Sequence, residues 1–267
     1  MIEIFDDIRS LYQFKAPCPE LKDHIEFFSE TSAEATARFI DAEEFTVRLF
    51  PSYTPTIWIN LGSPYRIKNG KQNKHIPRKT DILVLRDTTL ERHNLITDHI
   101  FTVKFHPLGF ESIFGFSQAK IGSDMVNVSE IIDPAILKKL KNMAGLEDRI
   151  VFLENWFIEK LHKNLRNQHD LRGIRLALDN HFQSGLEMKN YEIADQLCVS
   201  EKTFYRHFKN SMGTNPKTYF SITRARTALT AYKKDKSAFS PYDFGYYDFG
   251  HFSKDVVKFT GSLLSGF

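Results

Sequence analysis

Residues 193–220 read Ile193-Ala-Asp-Gln-Leu-Cys-Val-Ser-Glu-Lys-Thr-Phe-Tyr-Arg-His-Phe-Lys-Asn-Ser-Met-Gly-Thr-Asn-Pro-Lys-Thr-Tyr-Phe220. Ile193, Ala194 and Leu197 supply the inner face of one short helix. Ser200 stands where a second helix would begin, because its hydroxyl can accept from an N–H that the first turn leaves open. Over 201–210, Phe204 and Phe208 fall on one side at i, i+4, while Glu201, Lys202, Tyr205, Arg206 and Lys209 fall on the other. Two short helices joined by a tight turn, the second apolar inside and basic outside, form the arrangement that lets a helix lie in a major groove of DNA. An αα corner with a solvated charged face fits the same pattern, so this stretch alone leaves both readings open.

An internal echo separates them. Phe204, Phe208, Gly213, Pro216 and Tyr219 stand 4, 5, 3 and 3 residues apart, and Phe252, Val256, Gly261, Leu264 and Phe267 repeat those steps 48 residues later. Arg206 and Lys254 correspond at the same offset. Repetition at a fixed offset marks a duplicated unit, here two helix-turn-helix modules at about 190–210 and about 240–259. Pro216 suits the first turn of a helix running to about Lys233, which would join them. Two recognition helices held roughly 34 Å apart would enter successive major grooves on one side of a duplex.

Outward from this region, 267 residues with 42% hydrophobic content are enough for two modest domains. From Leu171 to Phe267 there are 14 Lys and Arg against 9 Asp and Glu, a balance of +5; residues 1–170 have 22 against 24, a balance of −2. The asymmetry is compatible with a polyanion partner. Cys18 and Cys198 are the only cysteines and lie far apart, which favours two reduced thiols over a disulfide or a metal site. Residues 1–10 carry Glu3, Asp6 and Asp7 and no long apolar run, arguing against a signal peptide. No stretch approaches the roughly 20 apolar residues of a membrane span. A cytoplasmic protein with no membrane partner is expected.

Between about 45 and 106 the pattern is that of strands: residues 45–50, 56–61, 81–85 and 99–105, with Pro51, Pro55, Gly62-Ser-Pro64 and Asn69-Gly70 as turns. A small antiparallel β domain is expected. Beyond it, Leu146, Ile150, Leu153, Trp156, Phe157, Leu161 and Leu165 recur at helical spacing and mark one long amphipathic helix. The polar run 163–170 is the expected linker, followed almost entirely by short helices.

The string from Tyr191 through Phe220, with Arg224 and Ala228 beyond it, resembles the first half of an AraC-type DNA-binding domain, and 245–261 (GYYDFGHFSKDVVKFTG) resembles that family's closing signature. The resemblance covers about the last 97 residues. More loosely, 50–67 and 103–116 resemble the β-rich domain found before this module in some members. The resemblance implies an α+β chain with an N-terminal small antiparallel β domain and flanking helices (1–166), for effector binding or dimerisation. A C-terminal all-α double helix-turn-helix domain (171–267) would follow. It implies double-stranded DNA as partner, with a small-molecule effector or a homodimer partner acting on the N-terminal domain. By position, Lys202, Tyr205 and Arg206 become base readers, Arg206 foremost because its fork can meet guanine O6 and N7 together. Lys209 and Arg224 become phosphate partners or structural ion pairs, and His251 and Lys254 the contacts left to the second module.

The chain departs from the family pattern in places. Cys198 occupies the turn position where glycine suits a positive φ. Ser240 and Pro241 stand where the second scaffold helix expects Ile-Ala, and Ser237 replaces an apolar residue, so that helix must be shortened or start at Pro241. Ser240 reads as its cap, and Gly245 would end it after little more than one turn. Phe249 and Gly250 take base-facing positions without side-chain hydrogen-bond donors, so specificity is expected to rest on the first module while the second touches phosphates. This erosion keeps an alternative alive, an interaction or sensor protein that has lost specific DNA binding. Catalysis is not expected. His75, His93, His99 and His106 are scattered without ligand spacing, no phosphate loop or nucleophile elbow occurs, and Cys18 has only Lys15 nearby to activate it. No cofactor is implied. Trp58, Tyr53 and Tyr65 fit either a ligand pocket or a β-domain core.

Overall fold

The structure, a computed structural model, describes residues 11–70, 72–122, 125–164, 169–186 and 188–267. Residues 1–10, on which the reading about a signal peptide rests, and 165–168, the middle of the expected linker, lie outside the described residues. In chain order the strands are β1 (Gln13–Lys15), β2 (Ile25–Glu30), β3 (Glu44–Leu49), β4 (Thr56–Asn60), β5 (Tyr65–Asn69), β6 (Gln72–Ile76), β7 (Ile82–Val84), β8 (Leu90–Leu95), β9 (Ile100–Phe105) and β10 (Val126–Asn127). They pair antiparallel throughout, in a six-stranded sheet ordered β1-β2-β9-β4-β7-β10 and a four-stranded sheet ordered β3-β8-β5-β6.

Alternation along β4 explains how the layers stack. Trp58 faces the four-stranded sheet and joins Val47, Leu49, Tyr65, Ile67 and Leu90 in a core between the sheets. Ile57 and Ile59 face the other way, where α2 (Gly109–Phe114), α3 (Pro134–Lys141) and α4 (Leu146–Asn164) cover the sheet through Phe110, Ile113, Leu137, Leu140, Ile150, Leu153, Phe157 and Leu161. With both faces buried, β4 and β9 have no exposed residue. The stripe expected on one long helix is thus the cover of the larger sheet. A further helix, α1 (Ala33–Phe39), is capped by Ser32, which accepts from Ala35 N at 3.1 Å.

Trp58 and Tyr65 belong to the core between the sheets, where the guanidinium of Arg92 lies 5.4 and 5.5 Å from their ring centres. Arg92 and Asp98, each 1% exposed at the side chain, pair at 3.3 Å, and Thr31 Oγ1 donates to the same carboxylate at 3.1 Å. Burial without a partner would make these charges prohibitive, and the ion pair with the Thr31 hydroxyl as donor makes the cluster tolerable.

The helical C-terminal part comprises α5 (His169–Gln183), α6 (Asn190–Gln196), α7 (Glu201–Met212), α8 (Pro216–Lys234) and α9 (Phe249–Thr260). The expected linker is replaced at its described ends by helix, since α4 runs to Asn164 and α5 begins at His169. Two cores follow. Leu171, Ile174, Leu178, Ile193, Phe204, Phe208, Met212 and Tyr219 form the first; Ile222, Ala225, Ala228, Leu229, Tyr246, Phe252, Val256 and Phe259 form the second. Helix α8 supplies both, its first turns to one and its middle to the other, and so carries the joining role expected of it.

Candidate nucleic-acid interface

The first module is built from local signals. Lys189 N donates to Glu192 Oε2 at 2.7 Å, closing the start of α6. The turn after α6 passes through Cys198 at φ 54°, a left-handed conformation that favours glycine, and Val199 N donates to Ala194 O at 3.0 Å. Ser200 caps α7 as expected, its Oγ accepting from Thr203 N at 3.2 Å. Phe204 and Phe208 then point inward with Met212, leaving Glu201, Lys202, Tyr205, Arg206, His207 and Lys209 exposed on the outer face. Tyr205 is 45% exposed, so packing does not claim it. Among the described residues, no carboxylate pairs with Lys202, Arg206 or Lys209, and their charges stand open to a polyanion.

In the second module the scaffold helix contracts to one 3-10 turn, Pro241–Phe244, followed by Gly245 at φ 67°. The shortening expected from Pro241 is present. The expected Ser240 cap is not, because its side chain makes no cap hydrogen bond. Asp248 caps α9 instead, accepting from His251 N at 2.6 Å. His251 and Lys254 are exposed on α9.

Arg224 is occupied inside the domain. It pairs with Asp255 at 3.3 Å, lies 4.5 Å over the Tyr246 ring and donates to Gly245 O at 3.5 Å. Of the two roles expected for it, the structure provides the ion pair, which staples α8 to α9. Tyr246 OH donates to the same carboxylate at 3.3 Å, so Asp255 holds three donors together with Ser221 at 3.5 Å.

The β-rich part grips both modules, which no local sequence pattern announced. Leu108, from the β9–α2 loop, sits in the first helical core, and Phe50, just after β3, sits in the second; each is 0% exposed. Tyr53 packs against both of these cores and against the helix-covered core of the larger sheet. The C-terminal ends of both recognition helices are held from the same side. Ser117 Oγ donates to Asn210 O at 2.5 Å, Gln118 Nε2 donates to Met212 O at 3.0 Å and to Tyr53 O at 2.8 Å, and Thr89 Oγ1 donates to Phe259 O. The bonds to Asn210, Met212 and Phe259 satisfy carbonyls that a helix end leaves open. Gly213 follows α7 at φ 76°, and a Cβ there would approach Ala119 Cα at 3.3 Å, so glycine serves both the turn and this contact. The N-terminal turns of α7 and α9, the ends that reach base edges in such modules, stay uncovered.

Beside these contacts runs a cleft of about 290 Å³ lined by Glu26, Ser52, His106, Phe182, Tyr219 and Arg226. Glu26 sits at a bulge where β2 slips against β9, and pairs with Arg226 of α8 at 3.7 Å. Burial pulls the His106 imidazole below its usual range.

The histidines considered for catalysis are dispersed. His93 faces Thr46 Oγ1 at 2.9 Å, His99 faces Glu30 at 2.8 Å, and His75 lies opposite Arg66 in the β5–β6 pair. Among the described residues no group of three His, Cys, Asp or Glu stands at metal-holding spacing. Burial pushes the Cys18 thiol up, with Glu154 and Glu20 acting in the same direction, the opposite of what a reactive thiolate needs. No described helix is long and apolar enough to cross a membrane.

Comparison with known proteins agrees with this architecture. A family model described as a helix-turn-helix domain matches residues 193–267. No curated protein sequence matches the chain. Among solved structures, ToxT from Vibrio cholerae in its P21 crystal form aligns with a TM-score of 0.50 at 11% identity, over 96% of this chain and 97% of that one. A second structure of ToxT, from Vibrio cholerae O395, aligns at 0.49 and 11% identity, over 84% and 95%. At 11% identity the likeness to the first of these is one of fold alone.

Proposed function

With residues 193–267 being a helix-turn-helix domain of the AraC type, we propose that this protein is a sequence-specific DNA-binding regulator of transcription. The observation that carries the reading is the outer face of α7, where Lys202, Arg206 and Lys209 are exposed and unpaired by any described carboxylate. Structural charge pairs occur elsewhere in the domain, as at Arg224, so the bare face is not a general property of its basic residues. Lys202, Tyr205 and Arg206 read bases, Lys209 neutralises phosphate, and His251 and Lys254 extend the contact to a second groove. We place the boundary of the two units between residues 166 and 171.

Control belongs to the β-rich unit. It bonds the ends of both recognition helices, so any change in how it seats on them changes their relative placement. A small-molecule effector or a second subunit exerts control only by preferring one seating over another. The cleft beside the Glu26–Arg226 pair is lined by both units, so a ligand held there would touch both.

Fluorescence anisotropy of the full chain with its own upstream DNA, against random duplex over a salt series, tests the reading. Binding that survives competitor and weakens steeply with salt is expected, because neutralised phosphates release counterions. Arg206→Ala should cost about 1–3 kcal/mol and blur preference at one base pair, whereas Lys209→Ala should weaken all sequences alike and lower the salt slope by about 1. Affinity equal to that for random duplex, with and without a second copy or effector, would favour an interaction protein that has lost DNA recognition.

A further inference from the structure

Helix α9 presents an apolar and partly bare first turn on the side where α7 presents charge. At the 48-residue offset, Glu201 and Lys202 of α7 correspond to Phe249 and Gly250 of α9. Phe249 is 48% exposed and Tyr247, two residues earlier, 84%. The Phe249 ring is nevertheless held in place. It stands edge-on to Phe239 at 5.8 Å and to Phe252 at 6.4 Å, and the Asp248 cap fixes the turn that carries it.

Gly250 is the second peculiarity. Glycine in a helix costs about 1 kcal/mol against alanine. An added Cβ would come within 3.2 Å of Asp248 Oδ1, the atom that accepts from His251 N and caps the helix, so alanine here would crowd the cap. The glycine also bares the backbone next to a fixed aromatic ring. His251, Lys254 and Lys258 are exposed on the same helix, and Asp243 and Asp248 are the nearby acids, the latter engaged as the cap. Basic residues around a small apolar centre complement a groove with phosphate walls.

We propose that α9 reads thymine by apolar contact, Phe249 and Tyr247 packing on 5-methyl groups and Gly250 letting the base edge come within van der Waals reach. The thymine methyl is the apolar group that the major groove displays, and the N-terminal turn of a recognition helix is the part that reaches it. The inference rests on the DNA-binding reading above. It replaces the expectation that the second module touches phosphates alone.

Selection of the full chain from a pool of duplexes with a randomised core would yield a preferred sequence, to be resynthesised with deoxyuridine for thymidine in one half at a time. Uracil keeps every hydrogen bond of thymine and lacks only the methyl. Affinity should fall about fourfold per contacted methyl in the α9 half, the equivalent of one buried methylene. Phe249→Ala alone should lose part of the thymine–uracil difference, and Phe249→Ala with Tyr247→Ala should bind the two duplexes equally. Gly250→Ala, which must shift the Asp248 cap by a few tenths of an ångström, should weaken binding to the thymine duplex while sparing its α7 half-site contacts, with circular dichroism checking that the module stays folded. Equal affinity of the unaltered chain for thymine and uracil duplexes, with binding still lost on Arg206→Ala, overturns the inference and leaves the regulator standing. A pool that yields no preferred sequence overturns both and turns the aromatic face into a candidate surface for a protein partner.

Discussion

Cys198 shows how one side chain can work against a turn that its neighbours specify. Its φ of 54° lies in the left-handed region, where a Cβ crowds the following carbonyl, and its thiol is exposed and contributes little packing. Cys198→Gly should therefore stabilise the protein by about 1 kcal/mol, read as a higher urea midpoint with an unchanged slope. The departure from glycine was visible in the sequence because the surrounding positions fixed what the turn required. His181 was not visible in this way. It is buried against Phe220 with ring centres 3.7 Å apart, and Nδ1 meets Met188 O at 3.2 Å. Burial pulls its pKa from 6.5 to about 4, with the Arg224 charge acting in the same direction. Between pH 6.5 and about 4 the unfolded chain binds a proton that the folded one refuses, so stability falls as the pH drops through that window. The loss between pH 7 and pH 5 should be about 1–2 kcal/mol from this residue. His24, also pulled to about 4 chiefly by burial, adds to it in the same direction. Melting temperatures across this range should show a shallower slope in His181→Gln than in the unaltered chain.

The elements that were legible in the sequence are those whose ends are written locally. Helix α7 starts at Ser200 because that hydroxyl caps it, α8 starts at Pro216 behind the Asn215 cap, and the 3-10 turn at Pro241 starts and stops where proline and glycine stand. β8 escaped notice because its inward positions are Leu90, Arg92 and Asn94, so alternation of burial is not alternation of hydrophobicity. β2 lies beside β9 across a bulge, and pairing over more than 70 residues leaves no local mark. The candidate site divides on the same line: the exposed face of α7 follows from its period, whereas the partner of Arg224 lies 31 residues away on another helix. Arg224→Ala should leave the Asp255 carboxylate short of its cation and cost about 2 kcal/mol of stability. A merely phosphate-binding arginine would show the opposite pattern, an unchanged urea midpoint with a lower salt slope. Circular dichroism and anisotropy on one variant tell the two apart.

At the scale of the whole molecule, the two halves share cores as well as a surface. Phe50→Ala should cost about 3–5 kcal/mol, because a fully buried ring is removed from a site that cannot collapse around its absence. The loss should appear as earlier unfolding of α9, followed by hydrogen exchange of residues 249–260, although the substitution lies in the β-rich half. Thr89→Val should act more gently, freeing the Phe259 carbonyl and altering DNA affinity more than stability. These contacts bear on how such a chain can be rearranged by recombination. The last 97 residues look portable, since they carry their own caps, turns and basic face. Transplanted onto a foreign sensor they would arrive with two holes, where Leu108 and Phe50 had stood, and with the carbonyls of α7 and α9 exposed to whatever the new host supplies. A successful exchange would have to move residues 50, 53, 89, 108, 117 and 118 together with the helices, so the unit that inheritance can pass around is larger than the unit that touches DNA.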